Sequence, residues 1–107
     1  MMVFIVVLSL LFISAAPSEN KGAPDITIDA ASKGKVAFPH RRHQESLGDC
    51  NLCHTLFPQE PNIIRKKITE GSLKKKDVMD HCRDCHKKKS TVGEKAGPTS
   101  CAKCHPK

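Results

Sequence analysis

The chain has no tryptophan and no tyrosine, and aromatic residues make up 4% of its 107 residues. Two of its four phenylalanines, Phe4 and Phe12, fall in an apolar first stretch, which leaves Phe38 and Phe57 for the remainder. Large aliphatic residues are scarce there too. Apart from those two rings, a conventional core has only Ile26, Ile28, Val36, Leu47, Leu52, Leu56, Ile63, Ile64, Ile68, Leu73, Val78, Met79 and Val92 to draw on. A single small domain already buries a low fraction of its surface, and one this poor in apolar mass needs cross-links or a cofactor to stay folded. After Ala16 no apolar run approaches the roughly 20 residues that cross a bilayer. A basic chain without aromatic interleaving also lacks the stacking platforms of single-strand nucleic-acid binders, so nucleic acid is not an expected partner.

Cysteine and histidine are what the chain has in quantity, six of each. The cysteines fall as three pairs of one spacing, and each pair is followed directly by histidine: Cys50-Asn51-Leu52-Cys53-His54, Cys82-Arg83-Asp84-Cys85-His86 and Cys101-Ala102-Lys103-Cys104-His105. On composition alone, three such histidines have a chance on the order of 2 in 10,000. C-x-x-C-H is the attachment sequence of c-type haem: two thiols add to the two vinyl groups of one haem, and the adjoining histidine gives a ring nitrogen to the iron. Three motifs use all six cysteines and three histidines, and leave His40, His43 and His81 for three irons. The count implies three haem c groups with histidine on both sides of each iron: His54, His86 and His105 proximal, His40, His43 and His81 distal. Three porphyrins would also supply the missing core, and the haem-free chain should then be largely unfolded.

Two other chemistries use the same residues. A disulfide framework fits poorly, because a C-x-x-C bridge closes a very small, strained loop that staples little of a fold. Zinc is the better rival, yet closed zinc sites join two such pairs, and three pairs each followed by histidine partition awkwardly.

Along the chain, residues 1–16 read as a secretory signal peptide: an apolar run interrupted only by Ser9, then Ser14, Ala15 and Ala16 before a polar segment. Residues 17–25 form a flexible lead, and 26–107 the folded domain. Ile26-Thr27-Ile28 and Lys35-Val36-Ala37-Phe38 alternate like a short hairpin, Pro39 ends the second run, and His40 to Leu47 has room for one or two helical turns stopped by Gly48. A turn at Pro58 and Pro61 and an amphipathic piece at Ile63, Ile64 and Ile68 follow. Asp77 is placed to cap a helix that carries Val78, His81 and the second motif and frays near Ser90. A loop from Gly93 to Pro98 leads to the third motif.

Eighteen basic against eleven acidic residues give a formal charge of +7. Ionised haem propionates would lower it to roughly +4 oxidised and about +1 reduced. Lys74 to Lys76, Lys87 to Lys89 and Lys107 gather near the later motifs, as a solvated basic face or a docking patch for an acidic redox partner or an anionic metal chelate.

Val36-Ala37-Phe38-Pro39-His40-Arg41-Arg42-His43, followed by three C-x-x-C-H motifs with Gly97-Pro98-Thr99-Ser100 before the last, resembles the triheme cytochrome c7 family, relatives of the tetrahaem cytochromes c3 that lack the second haem. The resemblance covers about residues 26 to 107. It implies a small multihaem cytochrome fold, mostly coil and short helices around three haems with a short N-terminal β-hairpin. It further implies a periplasmic electron carrier, a monomer free in solution after signal cleavage, working in anaerobic metal- or sulfur-reducing respiration. Its partners would be a membrane quinol-oxidising complex, outer-membrane or other multihaem cytochromes, or soluble metal chelates. A terminal metal reductase or a subunit of a haem oxidoreductase is the alternative. By position, the family pattern pairs His40 with His54, His43 with His86, and His81 with His105. One departure stands out: the family's third distal histidine lies several residues before the next cysteine, whereas His81 abuts Cys82, and Met79 is the alternative ligand.

Overall fold

The computed structural model describes residues 20–107, so the signal-peptide reading of residues 1–16 lies outside the described residues. Strand β1 (Ile26–Asp29) pairs antiparallel with β2 (Lys35–Phe38). Ile26 lies opposite Phe38 and Ile28 opposite Val36, so the apolar side chains of both strands share one face, while Asp29 and Lys35 stand opposite each other as unlike charges at the turn end. Between the strands a 3-10 turn, Ala31–Lys33, is started by the Asp29 carboxylate, which accepts the Ala31 amide at 2.8 Å.

Pro39 cannot continue the ladder, and the chain passes directly into α1 (His40–Leu47). Gly48 ends it at φ +66°, its amide bonding to the Gln44 carbonyl, a left-handed cap that side chains disfavour. Residues 50 to 57 fold as a turn of helix, α2 (Asn51–His54), and α3 (Ile63–Thr69) packs on β1. Next comes α4 (Lys75–Thr91), 17 residues with an unbroken ladder through His81 and the whole second motif. Asp77 is not its cap. The capping position is Lys74, which makes no side-chain bond, and Asp77 lies in the first turn, where a carboxylate still favours the helix dipole. A coil from residue 93 leads to α5 (Cys101–Cys104).

Among the described residues, Phe57 and Leu73 are the buried hydrophobic side chains, at 8% and 7% exposure. Leu52 and Met79 remain about half exposed, at 48% and 45%. The packed interior is as thin as the composition implies, and the elements hold together chiefly through the hairpin, the contact of α3 with β1, and hydrogen bonds from loop carbonyls.

The described part of the lead, Asn20 to Pro24, is tied to α1. Lys21 carbonyl accepts from Gln44 Nε2 at 2.7 Å, Ala23 carbonyl from His40 Nδ1 at 2.9 Å, and Pro24 carbonyl from the Arg41 amide at 2.9 Å.

Candidate functional site

The short β2-to-α1 connection puts His40 and His43 three residues apart at the start of one helix, so both rings leave the same side. Phe38, the last residue of β2, lies between them and the hairpin, its ring centre 5.8 Å from that of His40 and 4.4 Å from that of His43. Each histidine then meets a histidine of a different motif. The His40 and His54 rings are 6.2 Å apart and nearly perpendicular; those of His43 and His86 are 6.2 Å apart and tilted by 36°. Two nitrogen-to-metal bonds of about 2.0 Å each, with roughly 1.1 Å from each nitrogen to its ring centre, span about 6 Å. Both pairs therefore fit a metal held between two imidazoles.

The orientation and tautomer of these four rings are set by the backbone. His40 Nδ1 faces the Ala23 carbonyl at 2.9 Å, His43 Nδ1 the Pro39 carbonyl at 2.9 Å, His54 Nδ1 the Phe57 carbonyl at 2.8 Å, and His86 Nδ1 the Pro98 carbonyl at 2.7 Å. A carbonyl only accepts, so each Nδ1 carries the proton and each Nε2 keeps its lone pair for a metal. Such outer partners orient metal-bound histidines and raise their basicity.

His81 and His105 are placed differently. The close ring to His81 is that of Phe57, at 5.9 Å and edge to face, and no carbonyl faces its Nδ1 among the described residues as one faces each of the other four. His105 Nδ1 is buried and unpartnered. The two rings are not brought into a close pair like the other two. Met79 lies in the same helix turn, 45% exposed.

The cysteines converge on α4. No disulfide joins any of the six. Burial, then the neighbouring thiols Cys53, Cys104 and Cys85, push Cys82 up to about 11; burial, then Cys85 and Cys50, push Cys53 up. The second motif thus has a cysteine of each other motif beside it. No group of three or more His, Cys, Asp or Glu side chains among the described residues is arranged to hold a metal ion.

A strap joins the second and third motifs. Its Gly97 runs so close to His86 that a Cβ there would meet Cε1 at 2.6 Å and Nε2 at 2.9 Å. Pro98 supplies the carbonyl for His86, and Arg83 Nε donates to the Thr99 carbonyl at 3.1 Å. Open hollows flank the strap and the third motif: about 610 Å³ beside Arg42, Gly97, Pro98 and Ala102, and about 340 Å³ beside Ser32, Gly34 and His105. Pro39, Arg83, Gly97 and Pro98 stood in the sequence reading as parts of runs and motifs, and Phe57 as a core residue, but none was given a role toward a histidine or the strap, and Ala23 was not singled out. Gly-Pro ahead of a motif was the one visible sign, since a backbone carbonyl belongs to every residue type.

Residues 36–106 match the family described as cytochrome c7 and related cytochrome c. A cytochrome c7 of Geobacter metallireducens is 35% identical over 77 residues, covering 72% of this chain and 70% of that protein. A cytochrome c3 of Desulfuromonas acetoxidans is 34% identical over 81 residues, covering 76% of this chain and 96% of that one. The solved structures of PpcE, a cytochrome c7, and of the triheme cytochrome PpcA, both from Geobacter sulfurreducens, superpose with TM-scores of 0.54 at 30% and 31% identity, each covering 79% of this chain and all of the other. Twin imidazole pairs, three C-x-x-C-H motifs and these likenesses converge: the chain belongs to the cytochrome c7 family and is a multihaem electron-transfer cytochrome with three c-type haems.

Proposed function

We propose that the chain is a periplasmic carrier that moves single electrons between larger redox proteins in anaerobic, metal- or sulfur-reducing respiration. The observation that carries this reading is the pair of imidazole couples, His40 with His54 and His43 with His86, each at 6.2 Å and each ring locked by a carbonyl. In this reading Cys50 and Cys53, Cys82 and Cys85, and Cys101 and Cys104 attach the three haems. His54, His86 and His105 are the proximal ligands, and His81 completes the third site. Bound haem supplies a one-electron iron couple, and axial ligation and burial are the protein's means of setting its potential.

The residues themselves do three things. Backbone carbonyls accept from Nδ1 and so hold each imidazole in one orientation, which need not change when charge arrives. Phe38 sets an apolar ring against one histidine of each couple, His40 and His43. The basic face around α4 meets partners: Lys76 pairs with Asp80 and Lys89 with Glu94, whereas no carboxylate pairs with Lys74, Lys75, Lys87 or Lys88 among the described residues. Acidic surfaces of multihaem or quinol-oxidising partners, or anionic metal chelates, complement that face.

The test is to fractionate cells that express the full chain with haem-maturation machinery, then titrate the purified protein electrochemically. A coloured protein in the periplasmic fraction that takes up three electrons reversibly supports the proposal. Colour confined to the cytoplasm, or fewer than three electrons per chain, contradicts it.

A further inference from the structure

On the three-haem reading above, we propose that the lead segment Asn20 to Pro24 is a positioning element for His40, with Gln44 as its anchor. It sets the orientation and donor strength of one ring of the His40–His54 couple and leaves the His43–His86 couple alone.

The four orienting carbonyls differ in where they come from. His43 Nδ1 donates to Pro39, four residues back at the start of its own helix, and His54 Nδ1 to Phe57, three residues on in its own turn. Both bonds are local and arise with the turn itself. His86 takes the Pro98 carbonyl from the strap between two motifs. His40 takes its carbonyl from Ala23, 17 residues away and ahead of the hairpin. No motif cysteine lies in that segment, so its own contacts with α1 and the hairpin hold it in place.

Three carbonyls of the lead turn toward α1. Lys21 accepts from Gln44 Nε2 at 2.7 Å, Ala23 from His40 Nδ1 at 2.9 Å, and Pro24 from the Arg41 amide at 2.9 Å. The last bond satisfies an orphan donor at a helix start where Pro39 holds the capping position and makes no side-chain bond. Gly22 shapes the path between them. At φ +76° it adopts the left-handed backbone that other residues disfavour, and its amide donates to Asn20 Oδ1 at 3.0 Å. A Cβ there would stand 3.4 Å from His40 Cε1, so the lead backbone lies against the ring it orients.

Gln44 stands four residues after His40 and therefore on the same face of α1. Its Nε2 holds the Lys21 carbonyl, while its Oε1 is buried without a donor among the described residues. A buried amide oxygen left unpaired is unfavourable. The bond to Lys21 offsets that cost and keeps Gln44 under the lead. Gln44 acts on His40 through this bond, and the Ala23 carbonyl delivers the effect to Nδ1. An outer acceptor of this kind raises the basicity of a metal-bound imidazole, and axial ligation is a lever on haem potential. A more basic ring favours the oxidised iron, so loosening the lead should raise the potential of one haem.

The experiment compares the wild-type holoprotein with Gln44→Met, which keeps the side-chain length without its donor, and with Gly22→Val, which strains the left-handed turn and crowds the ring. Pyridine haemochrome analysis first establishes three haems per chain. Hydrogen exchange at the Arg41 amide, whose partner is Pro24, reads docking of the lead. Midpoint potentials, with each haem assigned to its motif by nuclear magnetic resonance, read the effect on His40. In both variants Arg41 exchange should rise roughly 2- to 10-fold, the loss of about one hydrogen bond. The potential of the haem attached at Cys50 and Cys53 should rise while the other two stay in place. Raised exchange with all three potentials unchanged would make the lead a helix cap only and overturn the proposal. Unchanged Arg41 exchange, a shift shared by all three haems, or loss of a haem in either variant would overturn it as well. A wild-type count below three would instead contradict the three-haem reading itself.

Discussion

The residue that most sharply separates packing from ligation is Gly97. A methyl group there would stand 2.6 Å from His86 Cε1, closer than real carbon contacts come, and the backbone of the strap cannot retreat without losing the Pro98 carbonyl. Gly97→Ala should therefore turn the His86 ring, shift the electron paramagnetic signature and midpoint potential of one haem, and cost about 1–3 kcal/mol as overpacking. An unchanged spectrum would show that the strap yields freely. Phe57→Ala acts on packing instead: the backbone carbonyl that orients His54 survives, while loss of a buried ring should destabilise the holoprotein by about 3–5 kcal/mol in thermal melts. The six motif cysteines and the six histidines stand out as a set in the sequence, because the chemistry proposed for them demands particular side chains, and the structure brings His40 to His54 and His43 to His86. Their outer partners do not stand out, since any residue can present a carbonyl.

Among the elements, the hairpin and α1 were legible because alternation, Pro39 and Gly48 are local signals that act over a few residues. The start of α4 was read one turn late, at Asp77, because Lys74 caps without a side-chain bond and so leaves no mark on the sequence. Helices α2 and α5 span four residues each, too short for any periodicity to show, and they exist as the turn that brings two cysteines and a histidine to one side. Helix α4 and α5 are coupled by the strap, with Arg83 bonded to the Thr99 carbonyl. Arg83→Ala should raise amide exchange over residues 97–100 while leaving the exchange of α1 unchanged. Equal protection in both proteins would assign the coupling to the haems alone. Lys76 and Asp80 are also joined along α4, but both are exposed, and ion pairs of this kind add little to stability.

The molecule as a whole has two buried hydrophobic side chains among its described residues and apolar groups such as Leu52 and Met79 left half exposed. Porphyrin faces are the missing apolar mass, so chain produced without haem-maturation machinery should show no cooperative melt by circular dichroism; a sharp transition would mean that the polypeptide carries its own core. The net charge of +7 acts at this scale as well. Electron transfer to an acidic partner should slow steeply between low and physiological salt, because exposed charges are screened beyond a Debye length of about 8–10 Å. A rate independent of salt would remove the docking role of the lysine face. The overall charge and the thin core were both plain in the composition. The third site already stood apart in the sequence, where His81 abuts Cys82; the structure adds that His81 meets Phe57, whereas His40 and His43 each meet a histidine. The account stands most directly on cofactor count, measured as the intact mass of the exported holoprotein together with its pyridine haemochrome. It predicts three covalent haems on a chain that begins near residue 17, whereas fewer haems, or bound metal without haem, would contradict it.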